Sequence, residues 1–399
     1  MGVRGDTDVL VVGAGPVGLT AALFLKRQGV RVAIVDQVHR TNQHSYALAV
    51  HPQTLDLLAE AGVAAAGTGR APGLTRVAFY EGTQRRAEID LGTGGGAHPH
   101  VLMMRLSHLE RGVEDVLRRE GTKVRWNHRL QALRPDGDRV VAEVGELDQV
   151  AEGYPIARTE WVVMKTRTFR PQFVIGADGW DSTVRRLAGI GTETKGTAQI
   201  VSVYEADATG DLPDEGRMVL DATRTSVYWP LEPGRCRWAF EVGSQEEHDP
   251  SLERLQRLLA ERAPWFTARP SCIYWSSLGQ FERKVAKEFG RDGVVLSGDA
   301  AHLGTPAGAR SMNLGLSEAR ALAGRIADVV RRGAPRESVL METAALRDRW
   351  LKRGGAKARP TADAWVTRNA ERIVDCLPVS GLGLEPALNQ VGLTLDAGA

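Results

Sequence analysis

Residues 8–36 read DVLVVGAGPVGLTAALFLKRQGVRVAIVD, and the order of apolar runs, glycines and a final acid in that stretch decides the fold. Asp8 to Val12 is a short β-rich apolar run that spacing predicts to be a strand buried on both faces. Pro16 to Gln28 carries Val17, Thr20, Ala21, Phe24 and Leu25 at helical spacing and stops at Gly29. Arg31 to Val35 is a second strand that closes at Asp36. Strand, helix and strand in that order make a parallel α/β sheet the expected architecture. Gly13, Gly15 and Gly18 fall between the first strand and the helix. The first permits a tight turn, the second lets a pyrophosphate approach the backbone, and the third lets helix and strand pack closely. The helix start, with Pro16 at its first position, offers free N–H groups and a partial positive charge to phosphates. Asp36 stands eighteen residues after Gly18, where a carboxylate accepts hydrogen bonds from a ribose. A dinucleotide site follows; the motif does not separate FAD from NAD.

Two later stretches repeat the geometry of a strand ending at an acid. Gln172 to Ala177 is a buried strand that ends at Asp178, and Ser182 beyond it is placed to cap a helix carrying Arg185 and Arg186. Residues 295–313, VLSGDAAHLGTPAGARSMN, read as a strand, the turn Gly298-Asp299, a Pro/Gly loop and a helix through Leu314 to Ala327. Ligands of open α/β sheets sit beyond the carboxyl ends of strands, so three such ends line one crevice. A similar spacing at Gly92, Gly94 and Ala97 lacks a preceding buried strand and reads as a loop. His98 and His100 there have no evident third partner, and no metal site is expected.

The remainder is organised differently. Runs around 200–206, 217–220, 226–231 and 235–242 are separated by turns. In the last, Cys236, Trp238, Phe240 and Val242 share one face and Arg237 and Glu241 the other, the pattern of an antiparallel sheet with one covered face. Helices are expected over 52–60, 105–120 and 252–262, a hairpin within 124–144, and three helical patterns between Ser317 and Asp375. The chain has 399 residues, 43% hydrophobic and 25% charged, with a net charge of +2, so no field argues for nucleic acid or anionic lipid. Cys236, Cys272 and Cys376 are isolated, which suits a reducing cytoplasm, and no apolar run is long enough to span a membrane.

The segments GAGPVG, GADGWDSTVRR and GDAAHLGTPAGARSMNLG, in that order, resemble the para-hydroxybenzoate hydroxylase type of FAD-dependent aromatic hydroxylases, the group A flavoprotein monooxygenases. The resemblance implies a Rossmann-like α/β FAD-binding domain with a parallel sheet (residues 1–75, 101–190 and 283–335), an inserted antiparallel β-sheet substrate domain (76–100 and 191–282) and a C-terminal helical region (336–399). It implies that Gly13, Gly15, Pro16, Gly18, Asp36 and Arg105 hold the adenosine half and chain of FAD. Asp178 serves FAD and a passing nicotinamide. Gly298 and Asp299 meet the ribityl chain, and Pro306, Gly308, Ser311, Met312 and Asn313 shape the loop beneath the flavin ring. Where many relatives have an Arg facing the pyrophosphate this chain has Tyr46, which leaves Arg40 and Arg105 to supply the charge. The GGQG-like loop is Gly308-Ala309-Arg310-Ser311 here. The implied chemistry is reduction by NAD(P)H, capture of O2 as a flavin hydroperoxide and transfer of one oxygen atom to an aromatic or polyketide-like small molecule. Tyr228, Trp229, Met218 and Arg224 are the expected substrate contacts, and the protein is expected to work as a monomer or homodimer. With only one dinucleotide fingerprint, NAD(P)H has no Rossmann domain of its own. Two other readings stay open: an FAD-dependent reductase or dehydrogenase, and a flavin-binding protein without catalysis. A flavin halogenase is disfavoured because WxWxIP is absent.

Overall fold

The computed structural model describes residues 7–40, 49–63, 73–94, 96–152, 158–245, 247–354 and 363–395. Ten helices are described: α1 Pro16–Arg27, α2 Pro52–Glu60, α3 Leu106–Arg119, α4 Thr183–Leu187, α5 Leu252–Arg262, α6 Arg310–Arg332, α7 Glu337–Gly354, α8 Ala364–Arg368, α9 Ala370–Cys376 and α10 Leu384–Asn389.

The first stretch folds as its pattern requires. Val9–Val12 is buried throughout and lies inside a six-stranded sheet. The order is Gly290–Arg291, Val294–Leu296, Phe173–Gly176, Val9–Val12, Val32–Val35 and Val124–Arg125, parallel except for the Gly290–Arg291 edge. Register pairs Val12 with both Val35 and Gly176, and Gly176 with Leu296. The carboxyl ends leading to Asp36, Asp178 and Asp299 therefore stand side by side. The two sheet faces bury alternate residues, as period two demands. Val9 and Val11 pack with Leu19 and Leu23 of α1 and with Leu316 and Ala319 of α6. Leu10 and Val12 pack with Leu130, Val140, Phe289 and Trp350.

A seven-stranded sheet forms the second layer, in the order Arg269–Phe281, Gln199–Thr209, Arg235–Val242, Thr225–Pro230, Gly216–Leu220, Arg76–Glu81 and Gln84–Asp90. It is antiparallel except where Gly216–Leu220 runs parallel to Arg76–Glu81, so two distant parts of the chain complete one sheet. One face carries Tyr204, Tyr228, Trp238 and Phe240 under Leu255 and Leu258 of α5. The opposite face, expected to be open, is also covered: Met218, Val227 and Trp229 pack with Trp365, Ile373 and Cys376 of the C-terminal helices. Arg237 on that face is buried and paired with Glu205 at 3.1 Å. The alternation was real, and its polar side faces protein.

Two further differences from expectation have local causes. The hairpin predicted within 124–144 is part of a three-stranded sheet, His128–Asp136, Arg139–Glu152 and Arg158–Phe169. Helix α6 starts at Arg310, four residues before Leu314, because Ala309 adopts a left-handed conformation and serves as its N-cap. No helix among the described residues is long and apolar enough to cross a membrane.

Candidate functional site

The glycine turn has one space that a ligand would fill and two that protein already fills. A Cβ on Gly13, whose φ is +103°, would lie 2.2 Å from the Ala177 carbonyl oxygen. One on Gly18 would lie 1.9 Å from the Gly13 carbonyl oxygen. Both positions are closed to any other residue. Around Gly15 the nearest atom is Glu110 Oε1 at 4.0 Å, which leaves the turn open on the side of the α1 N-terminus. That N-terminus has no side-chain cap and no acid in its first turn. Its N–H groups and dipole are available to an anion. Asp36 Oδ2 accepts from the Ala14 N–H at 2.6 Å and Oδ1 from the Val38 N–H at 3.0 Å, which fixes the acid at the crevice mouth. Burial raises its carboxyl above the ordinary range; the backbone hydrogen bonds oppose this and nearby Asp178 adds to it.

Asp178 accepts from the Ser182 hydroxyl at 2.5 Å and from the Val184 N–H at 3.0 Å, and Ser182 Oγ accepts from the Arg185 N–H at 2.9 Å. Ser182 caps α4 as expected, and Asp178 helps to hold the same turn. The third segment meshes with the first: a Cβ on Gly315 would lie 2.8 Å from Val17 and 2.9 Å from the Gly298 Cα. Asp299 is exposed to solvent, so its carboxylate is free to meet a ligand. Glu318 of α6 grips the turn on both sides of it, accepting from the Gly298 N–H at 3.4 Å and contacting His302 Nε2 at 2.8 Å. Burial works against charge on His302, but Glu318 and Asp299 together hold its imidazole above the usual value. His302 thus positions the loop.

The Pro306–Asn313 loop is built from contacts that sequence spacing did not reveal. Ser311 Oγ accepts from the Gly304 N–H at 2.9 Å. Asn313 is fully enclosed: its amide donates to the Ala309 and Ala49 carbonyls at 2.7 and 3.0 Å, and its Oδ1 accepts from the His51 N–H at 2.9 Å. Its side chain is therefore committed to scaffold. His51 was not anticipated, since a lone His before a helix carries no signal. It is buried, with Nε2 2.9 Å from the Gly308 carbonyl oxygen and Nδ1 3.1 Å from Ser380 Oγ, and burial pushes its imidazole down to about 3. Neutral at ordinary pH, it ties the loop to the C-terminal segment. Gly308 is required there, because a Cβ would lie 2.6 Å from the Asp375 carbonyl oxygen.

A cavity opens beside this loop. Thr305, Pro306 and Ala307 form one wall. The sheet gives Gln199, Val201, Thr225, Val227, Ala239 and Glu241, and α9 gives Arg372, Asp375 and Cys376. None of the four expected substrate contacts lines it. Tyr228 is on the other face of the sheet, paired in register with Trp238, and its hydroxyl donates to the Pro213 carbonyl. Met218 and Trp229 share the cavity-side face but are packed into the core, and Arg224 is exposed at a turn. Tyr228 stands one position from Val227 and so points to the opposite face, whereas Val227 lines the cavity. Arg372 is held by the Asp221 carbonyl at 2.6 Å and Thr225 Oγ1 at 3.2 Å. Asp375, raised by burial, contacts Arg283 at 3.4 Å.

Arg105 is the N-cap of α3, and its guanidinium lies 5.7 Å over the Tyr274 ring of the large sheet. Arg40 is exposed, while His44 and Tyr46 lie outside the described residues.

An open glycine cradle, an uncapped helix start and a row of acids at parallel strand ends fit a dinucleotide, and a small cleft lies between the 305–307 loop, the second layer and α9. Those features define the class of a two-layer dinucleotide-binding protein. A model of a family described as FAD binding domain matches residues 6–349, and the chain belongs to that family, the para-hydroxybenzoate hydroxylase-like group A flavoproteins. It is 33% identical over 357 residues to 6-methylpretetramide 4-monooxygenase of Streptomyces rimosus, covering 85% of this chain and 59% of that protein. It is 27% identical over 337 residues to rifampicin monooxygenase of Rhodococcus hoagii, covering 82% of this chain and 65% of that protein. The chain thus spans about three-fifths to two-thirds of the length of these curated relatives. The fold is similar to that of p-nitrophenol 4-monooxygenase from Pseudomonas putida DLL-E4, with a TM-score of 0.73, 23% identity, and coverage of 87% of this chain and 86% of that one.

Proposed function

We propose that the protein is an FAD-dependent monooxygenase that uses NAD(P)H and O2 to hydroxylate an aromatic or polyketide-like small molecule. The observation that carries this reading is the cleft in which Pro306, expected beneath the flavin ring, and its neighbour Ala307 face the apolar sheet residues Val201, Val227 and Ala239. The relatives, named as monooxygenases of aromatic and polyketide compounds, support it. When bound, FAD would supply the reduction by NAD(P)H and the activation of oxygen.

The residues of the chain do the rest. Gly15 and the α1 N-terminus would take the pyrophosphate, Asp36 the adenosine ribose, and Asp299 the ribityl chain. The uncapped start of α6, with Ala309 at its N-cap, would offer N–H groups to the ring and stabilise negative charge there. Val201, Val227 and Ala239 exclude water from the reacting face. Glu241, Arg372 and Asp375 form the polar end of the cavity and would orient hydroxyl or carbonyl groups of the substrate. With one dinucleotide fingerprint in the chain, NAD(P)H would approach without a fold of its own.

The test is to purify the protein, record its flavin spectrum, and follow NAD(P)H and oxygen together with phenols and fused-ring aromatics. Substrate-dependent consumption of both supports the reading. Turnover without oxygen uptake would instead support a reductase.

A further inference from the structure

Among the described residues, Glu110 is a buried acid whose carboxyl is not used to hold the fold. It lies on the inward side of α3, 5% exposed, and its Oε2 has no hydrogen-bond partner although it is sealed from solvent. A buried carboxyl without a donor or a cation carries the full cost of desolvation. Its place explains what it faces: Oε1 is the atom nearest the open side of Gly15, 4.0 Å from where a Cβ would be, and Asp36 and Glu114 are its charged neighbours.

We propose that Glu110 is a cofactor-binding residue, donating the proton of its neutral carboxyl group to an oxygen of the FAD ribose–pyrophosphate between Gly15 and Asp36, so that cofactor binding is coupled to a proton. This rests on the reading of the crevice as an FAD site. The surroundings leave few other states. Asp36 approaches from the end of the Val32–Val35 strand. Glu114, one turn along α3, receives the Trp126 indole N–H at 3.3 Å. The first turn of α1, Pro16 to Leu19, carries no charge. Arg105, at the α3 N-cap, lies over Tyr274. Burial first, then Asp36 and Glu114, push the Glu110 carboxyl up to about 8. A pyrophosphate brought beside it adds negative charge and favours the protonated acid further. An ionised Glu110 would repel the same ligand.

The sign follows from linkage: if the complex holds the proton more firmly than the free protein, binding weakens as pH rises past the pKa of the free protein. The test is binding of FAD to the full chain after its flavin has been removed, read by flavin fluorescence between neutral and alkaline pH. Calorimetry about one pH unit above the pKa of the free protein, in buffers of different ionisation heat, then measures the protons taken up. The expected result is an affinity that falls by up to about tenfold per pH unit above the pKa of the free protein, with net proton uptake on binding. Glu110→Gln, which keeps a donor and cannot ionise, should bind FAD with that pH dependence removed and the proton uptake abolished. Uptake of no protons by the wild-type chain, or equal slopes in wild type and Glu110→Gln, would overturn the proposal while leaving the monooxygenase reading intact. Failure of the wild-type chain to bind FAD at any pH would overturn both. The calorimetric arm uses only the unaltered protein, so the outcome does not depend on the variant folding.

Discussion

At the scale of single residues, the Pro306–Asn313 loop shows what letters alone cannot express. Comparison with the GGQG pattern put the departures at Ala309 and Ser311, and of these Ser311 lies inside α6 with its hydroxyl bonded to the Gly304 N–H. The costly substitution is Ala309, at φ 51° and ψ 34°. A residue with a Cβ in that region loses roughly 1–2 kcal/mol. Ala309→Gly should therefore raise stability by about 1 kcal/mol, less the extra chain entropy of glycine in the unfolded state. Urea unfolding checks it, and a variant less stable than the parent would show that the strain is absent. The glycines of the first motif were legible because their role is steric and local. Gly18→Ala would place a Cβ 1.9 Å from the Gly13 carbonyl oxygen. It should open the α1 turn and abolish flavin retention on gel filtration. A variant that keeps its flavin would contradict the packing described. The lining of the cleft was illegible for the opposite reason, since facing is set by register across the sheet and Tyr228 differs from Val227 by one position.

At the scale of elements, boundaries with a chemical marker were readable. Helix α2 begins at Pro52 and α5 follows Ser251, whose hydroxyl oxygen accepts from the Arg254 N–H at 3.2 Å. The strand Arg158–Phe169 had no such marker, because it is recognised only by its pairing with Arg139–Glu152. The link between the Pro306–Asn313 loop and the C-terminal segment was equally hidden, because its partners at His51, Gly308 and Ser380 are far apart in sequence. That link has a pH signature. His51 falls to about 3 in the folded chain from an ordinary 6.5, so the unfolded chain binds the extra proton between those values. Stability should be complete above about pH 6.5 and fall by up to about 1.4 kcal/mol per unit as the pH drops toward 3. His51→Gln should flatten that slope in urea titrations at neutral and mildly acidic pH. Parallel slopes in the two proteins would contradict a buried neutral imidazole.

At the scale of the whole molecule, the chain builds two layers and makes its cavity where they meet the C-terminal helices. The parallel layer could be read from three strand ends. The cavity could not, because its walls come from the loop at 305–307, three strands of the sheet and α9. Filling it with Ala239→Trp should leave FAD affinity unchanged while weakening substrate binding at least about tenfold, since a large side chain there would block the space proposed for the ligand. Titration of the flavin absorbance with substrate measures the effect, and unaltered substrate affinity would place the substrate elsewhere. The central claim is that this cavity delivers an oxygen atom from O2. The most direct measurement is turnover under isotopically heavy O2 with NAD(P)H and an accepted phenol or polyketide, followed by mass spectrometry of the product. One heavy oxygen atom per product molecule is the predicted result; a product formed without heavy oxygen would contradict it.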